Sequence, residues 1–244
     1  MQKTKVVSET GIAKNITNFN RIINVCNLQG VMFSPSNNKL KIPALLNLRD
    51  NAQTAVDATS IAKATNDHAI TTRSLAFKAL NPTVTKAINL LSASGVPAQT
   101  VAQARTIVRK LTGQRADNSA PVVLADGTTT KRISVSQLSF DNRIENFSKL
   151  IDFLSLIPEY APNEANLAIA GLKALHDAAE AANIAVINSN LQLSNARIQR
   201  DTVLYQDIDG LTFIAQDLKN YIKAVFGATS NEYKQVSKLK FVNK

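Results

Sequence analysis

Cysteine and histidine are close to missing from this chain: one Cys (Cys26) and two His (His68 and His176) stand among 244 residues. That excludes a disulfide framework and a four-ligand zinc site. It also starves nucleophile–His–acid schemes, and no G-x-x-x-x-G-K, G-x-G-x-x-G or H-E-x-x-H occurs. Neither histidine has Glu three residues before it, so the Glu-x-x-His pairs of a ferritin-like di-iron bundle are excluded too. The chain reads as a non-enzyme with no catalytic residue, no cofactor and no metal site. Glycine and proline are scarce as well, at 8 and 7, which leaves little turn punctuation for sandwiches, barrels or α/β folds and points to long helices. Missing apolar runs exclude a further class. No 18-residue apolar stretch is present, so no membrane-spanning helix is expected. The start MQKTKVVSETGIAKNITNF has neither an apolar run of seven nor a small-residue cleavage site. A cytoplasmic default follows, with export by a signal-less route left open.

Acid is missing from one long segment. Between His68 and Ala116 there is no Asp or Glu, while Arg73, Lys78, Lys86, Arg105, Arg109, Lys110 and Arg115 all fall there. The whole formal charge of +10 sits in residues 1–122, with 15 Lys+Arg against 5 Asp+Glu; residues 123–244 carry 13 of each. Aromatics run the other way, three in the first half and ten in the second. Such asymmetry calls for an acidic partner or a charge-complementary surface.

What is present is a self-similarity. Asn18-Phe19 to Cys26 reads NFNRIINVC and Asn146-Phe147 to Leu154 reads NFSKLIDFL. Residues 33–73 align with 160–200 at a constant offset of 127, and eleven of the 41 pairs are identical, among them Pro35/Pro162, Leu45/Leu172, Asp50/Asp177, Ala52/Ala179 and Arg73/Arg200. A tandem duplication is the reading we take. Each repeat carries an unbroken 3-4 stripe: Lys41, Leu45, Leu48, Ala52, Ala55, Thr59, Ala62, Asn66, Ala69, Arg73 and Ala76 in the first, and Ala168, Leu172, Leu175, Ala179, Ala182, Val186, Ser189, Leu193, Ala196, Arg200 and Val203 in the second. This spacing, with small seam residues, predicts a long helix of about 45 residues in each repeat. Flanking helices are expected at 14–29, 82–93, 97–112, 141–157 and 207–226, with a break at Asn81-Pro82 and left-handed caps at Gly113 and Gly227.

Two segments read as β. Pro121 to Val135 places β-prone runs around Asp126-Gly127, a hairpin signal. The tail Val236-Ser-Lys-Leu239-Lys-Phe241-Val242 alternates apolar and basic residues as a half-buried edge strand does, which makes Val236, Leu239 and Phe241 candidates for an assembly strand. The fold expected is therefore mainly α, an elongated bundle of two helix–long helix–helix repeats with a small β element. Its parts are a basic repeat at 1–115, a hairpin linker at 116–140, and a second repeat with a C-terminal strand at 141–244.

Few residues invite a chemical role. Arg73 and Arg200 share one seam position, and a guanidinium there must find carboxylates or carbonyls, which suits buried structural arginines. Cys26 aligns with Leu154 and reads as a small buried hydrophobe. Arg105, Arg109, Lys110 and Arg115 form a basic helical face that offers a site to an anion or an acidic partner, nucleic-acid phosphate included.

The phrases SETGIAKNITNF, RTIVRKLTGQRA, ISVSQLSFDNRIENF, LSNARIQRDTVLY and YIKAVFGATSNEYKQVSKLKF, which span nearly the whole chain, resemble a family of Bacteroidota-type bacterial helical tandem-repeat proteins. The resemblance implies no activity, cofactor or catalytic residue. Long helices with a hairpin also look like α-helical pore-forming toxins, whose hairpin is markedly apolar; the one here is polar from Asp126 to Arg132. The function expected is a non-enzymatic structural or interaction protein that self-associates as a homo-oligomer or polymer. Unlike halves meeting head to tail give a filament when the rotation does not close. The alternatives are a nucleic-acid-binding protein using the basic first repeat and, second, a membrane-active helical bundle.

Overall fold

Small residues along a helix face let a neighbouring backbone approach closely, and the two predicted stripes meet through side-chain bonds such as Ser189 to Asn66. The computed structural model describes residues 11–113 and 138–242. Those residues form seven α-helices in the order α1 (Ile12–Leu28), α2 (Ile42–Ala93), α3 (Ala98–Thr112), α4 (Phe140–Ser155), α5 (Ile169–Tyr205), α6 (Leu211–Phe226) and α7 (Asn231–Ser237), with 3-10 turns at Gly30–Met32 and Asn38–Leu40. The protein is mainly helical, and no strand occurs among the described residues. The expected hairpin at Pro121–Val135 lies outside them, as does Arg115.

The chain forms two compact units that are discontinuous in sequence: residues 1–65 with 191–244, and residues 66–190. Each takes residues from both of the segments expected at 1–115 and 141–244, because α2 and α5 each contribute to both units.

In the first unit the amphipathic face of α1, Ile16, Phe19, Ile22, Ile23 and Cys26, packs with Leu45 and Ala52 of α2, Leu204 of α5, and Leu211, Ile214, Leu218 and Ile222 of α6. Phe33, just after the first 3-10 turn, meets Tyr221 of α6 edge-on with ring centroids 5.3 Å apart. Ser230 opens α7, its Oγ accepting from the Tyr233 N–H at 3.1 Å, which satisfies one of the free amides of a helix start. Val236 of α7 is fully buried in this core. Along the seam, Thr59 donates to the carbonyl of Ala196 at 3.2 Å.

The second unit has the same logic with other partners. Ile144, Phe147, Leu150, Ile151 and Leu154 of α4 bury against Leu80, Val84, Ala87 and Leu91 of α2, Val101, Ala104 and Leu111 of α3, and Leu172 of α5. Ser139 caps α4, accepting from the Asn142 N–H at 3.2 Å. The α2 and α5 segments run antiparallel here, since Asn66 meets Ser189 (2.9 Å) while Arg73 meets Asn183 (3.1 Å). Ser189 and Asn66 are both buried, and this polar pair in an alanine-rich seam fixes register at some cost in stability.

Three local expectations are corrected. The break at Asn81-Pro82 does not occur, and α2 runs through Pro82 to Ala93. Proline removes an amide and crowds the carbonyl one turn back. Beside the proline, Arg143 donates to the carbonyl of Phe77 (3.4 Å) and to Asn81 Oδ1 (3.1 Å), while the carbonyl that Pro82 leaves without its helical donor is that of Lys78. Gly113 is left-handed as expected, but Gly227 has φ 93° and ψ 156°, a different glycine-favoured region. Finally the tail is not a strand: Val236 lies on α7, and residues 239–242 belong to neither helix nor strand.

Candidate functional site

The tail is held by side chains instead of by a sheet. Two asparagines on α1, Asn15 and Asn18, lie one turn apart beside the apolar stripe and are buried to 1% and 3% exposure. A buried amide without partners is costly, so both must find polar groups. Asn15 finds two on one residue: its Nδ2 donates to the carbonyl of Val242 at 2.9 Å, and the Val242 N–H donates to its Oδ1 at 3.0 Å. This is what a neighbouring strand would offer, delivered by one side-chain amide. Asn18 Nδ2 donates to the carbonyl of Lys240 at 2.8 Å. Carbonyls of residues two apart point the same way in an extended chain, and a helix supplies neighbours three apart, so the two periods meet in this clasp. Asn18 Oδ1, by contrast, is buried and has no hydrogen-bond partner.

Lys219 of α6 closes the other side. Its ammonium donates to the carbonyl of Leu239 and stands 5.2 Å from the Phe241 ring centroid; burial lowers its pKa below the usual lysine range. The alternation read from the sequence is real in its burial, since Leu239 and Phe241 pack on the core while Lys238 and Lys240 face solvent. Only its partner differs. Beside the segment lies an open groove of about 580 Å³, bordered by Tyr205, Asp207, Phe213, Gln216, Leu239 and Phe241.

The other residues singled out from sequence fall elsewhere. Arg73 and Arg200, expected buried, are both half-buried. Arg73 stacks 3.8 Å from the Phe140 centroid and donates to Asn183. Phe140 in turn meets Phe77 edge-on, and Phe77 carries Arg143 at 5.1 Å. Arg200 pairs with the adjacent Asp201 through Nε and Nη2 at 2.9 and 2.7 Å. Arg105 and Lys110 are exposed on α3, and Arg109 is half-buried with its guanidinium on Thr106 at 2.8 Å. One donor set escaped the sequence reading: His176, Asp177 and Glu180 bring a ligand atom each within 4.8 Å of one another. The Glu-x-x-His pattern puts Glu three residues before the histidine, whereas Glu180 stands four after His176. Here His176 Nδ1 is already engaged by Asp177 at 3.0 Å, and both carboxylates are exposed.

Asn15 and Asn18 were missed as well. Their signal was two amides at i, i+3 within an otherwise apolar helix face. Against known proteins, no family model, no curated protein and no solved structure matches the chain. No helix among the described residues is long and apolar enough to cross a membrane.

Proposed function

We propose that the protein is non-catalytic and acts by associating with further copies of itself, using two tandem helical repeats whose surfaces have diverged. The observation that supports this best is a second apolar stripe on α5. Ile184 and Ile187 of the second unit are exposed by 49% and 55%, three residues apart, and Leu191 and Ile198 of the first unit by 61% each, seven apart; within each unit this is a coiled-coil spacing. Each lies five residues beyond a buried seam position (Ala179, Ala182, Val186, Leu193), which at 100° per residue is about 140° round the helix. α2 also exposes Ile61 in the first unit and Leu75 in the second. Apolar side chains repeated on a helical face in water favour a covering helix. A second copy fits, because a basic half meeting a neutral half avoids the repulsion that two basic halves would meet. The duplication is supported by matched burial at aligned positions: Phe19 and Phe147, Leu45 and Leu172, and Ala52 and Ala179 are all buried to 1% exposure or less.

Light scattering with sedimentation over a wide concentration range tests the reading. The wild-type chain is expected to grow in mass with concentration. Ile187→Glu combined with Leu191→Glu should stay monomeric at unchanged helix content, since both side chains are already exposed. A wild-type chain that remains monomeric throughout overturns the proposal; assembly undiminished in the double variant overturns the stripe as its contact.

A further inference from the structure

We infer that the Asn15–Asn18 clasp is a binding site for an extended peptide, and that its partner in an assembly is the 238–242 segment of a second copy in place of the chain's own. Only the identity of the donor rests on the self-association reading; the site rests on its own geometry.

Four observations carry it. First, recognition is of main chain: Asn15 takes the N–H and the carbonyl of a single residue, so the side chain at position 242 is not read. Sites of this type get affinity from backbone bonds and specificity from the alternate side chains. Second, those alternate side chains have places. Leu239 and Phe241 pack on the core, and Lys219 sits against both the Leu239 carbonyl and the Phe241 ring. Third, the site is incompletely filled by its own segment, because Asn18 Oδ1 is buried with no donor although its Nδ2 is bonded to Lys240. An amide that serves one residue as Asn15 does would also accept that residue's N–H, so a segment seated without the constraint of its own α7 can complete the pair. Fourth, the groove beside the segment has open volume and an acid on its border, Asp207, suited to the lysines that flank Leu239.

The test uses the full chain with its own segment loosened by Phe241→Ala and Val242→Pro. These changes remove the aromatic anchor and the N–H given to Asn15. The probe is a fluorescein-labelled synthetic peptide with the sequence of residues 236–242, read by anisotropy. The loosened chain should bind it at least tenfold more tightly than the wild-type chain, whose tethered segment competes at high effective concentration. Adding Asn15→Ala should weaken binding tenfold or more. Independently of how that variant folds, a peptide methylated on the Val242 nitrogen should weaken to the same degree. No binding to the loosened chain, or binding indifferent to N-methylation, overturns the site.

The donor is tested on assembled wild-type chain, where excess unlabelled peptide should reduce the assembly mass. Assemblies unmoved by a peptide that does bind show that the second copy's segment is not the connector. A chain that binds the peptide yet is always monomeric leaves the site standing and removes self-association; a chain that assembles but binds no peptide does the reverse.

Discussion

Gly171, third residue of α5, should resist the substitution that helix propensity recommends. Replacing a helical Gly by Ala usually stabilises by about 1 kcal/mol, through lost freedom in the unfolded chain. At Gly171, however, a Cβ would stand 2.1 Å from the carbonyl oxygen of Ala165 and 2.9 Å from the Cα of Asn166. Both are backbone atoms, so no rotamer change relieves the overlap. Ordinary van der Waals contact begins at 3.4 Å, so the incoming loop or the first turn of α5 must yield by more than 1 Å. Overpacking costs about 1–3 kcal/mol even when side chains can share it; with only backbone to move the upper figure applies, so Gly171→Ala should destabilise by about 2 kcal/mol after the propensity gain of about 1 kcal/mol is subtracted. The aligned residue Ala44 of α2 supplies the control. Ala44→Gly should lose about 1 kcal/mol, the ordinary helical glycine penalty. Urea unfolding followed by circular dichroism at 222 nm, with the slope checked for constancy, reads both. A Gly171→Ala chain as stable as wild type or more so would refute the claimed approach of the Ala165 carbonyl.

The two seam arginines should separate. Arg73→Ala removes a guanidinium stacked 3.8 Å from Phe140 and a bond to Asn183, about 1–2 kcal/mol in a denaturant titration; Arg200→Ala, whose bonds go to the adjacent Asp201, should cost at most about 1 kcal/mol. Equal losses would contradict the assignment. Cys26 should be silent to thiol reagents at pH 8.5 in native buffer and reactive in urea, since burial pushes its thiol from 9.0 up to about 12. A pKa raised by folding means that this contribution is complete below pH 9 and lost as pH climbs from 9 towards 12, by about 4 kcal/mol at full ionisation. Stability by denaturant titration across that window checks the sign, and a chain that grew more stable there would refute it.

Composition and periodicity alone determined the helical class and the faces of the long helices. Eight glycines and seven prolines gave no room for a turn-rich fold, and the 3-4 stripes name residues that are in fact buried or half-buried from Leu45 to Arg73 and from Leu172 to Arg200, Ala196 included. Such stripes are legible because a helix repeats its environment every turn, so a few residues reveal a whole face. Non-local partners leave no such trace. Pro82 reads as a break, yet α2 runs through it, and the Arg143 that bonds the neighbouring Phe77 carbonyl and Asn81 side chain comes from 61 positions later. Nothing near the tail says whether its edge meets a strand or a side chain; Asn15 answers that from 227 residues away. The same holds for the units: similarity along the chain suggests consecutive repeats, whereas packing groups residues 1–65 with 191–244. Local pattern reports how much of a face must leave water, because burial is a property of the residue itself. Which surface covers it depends on where the rest of the chain is brought, and that is decided by tertiary contact.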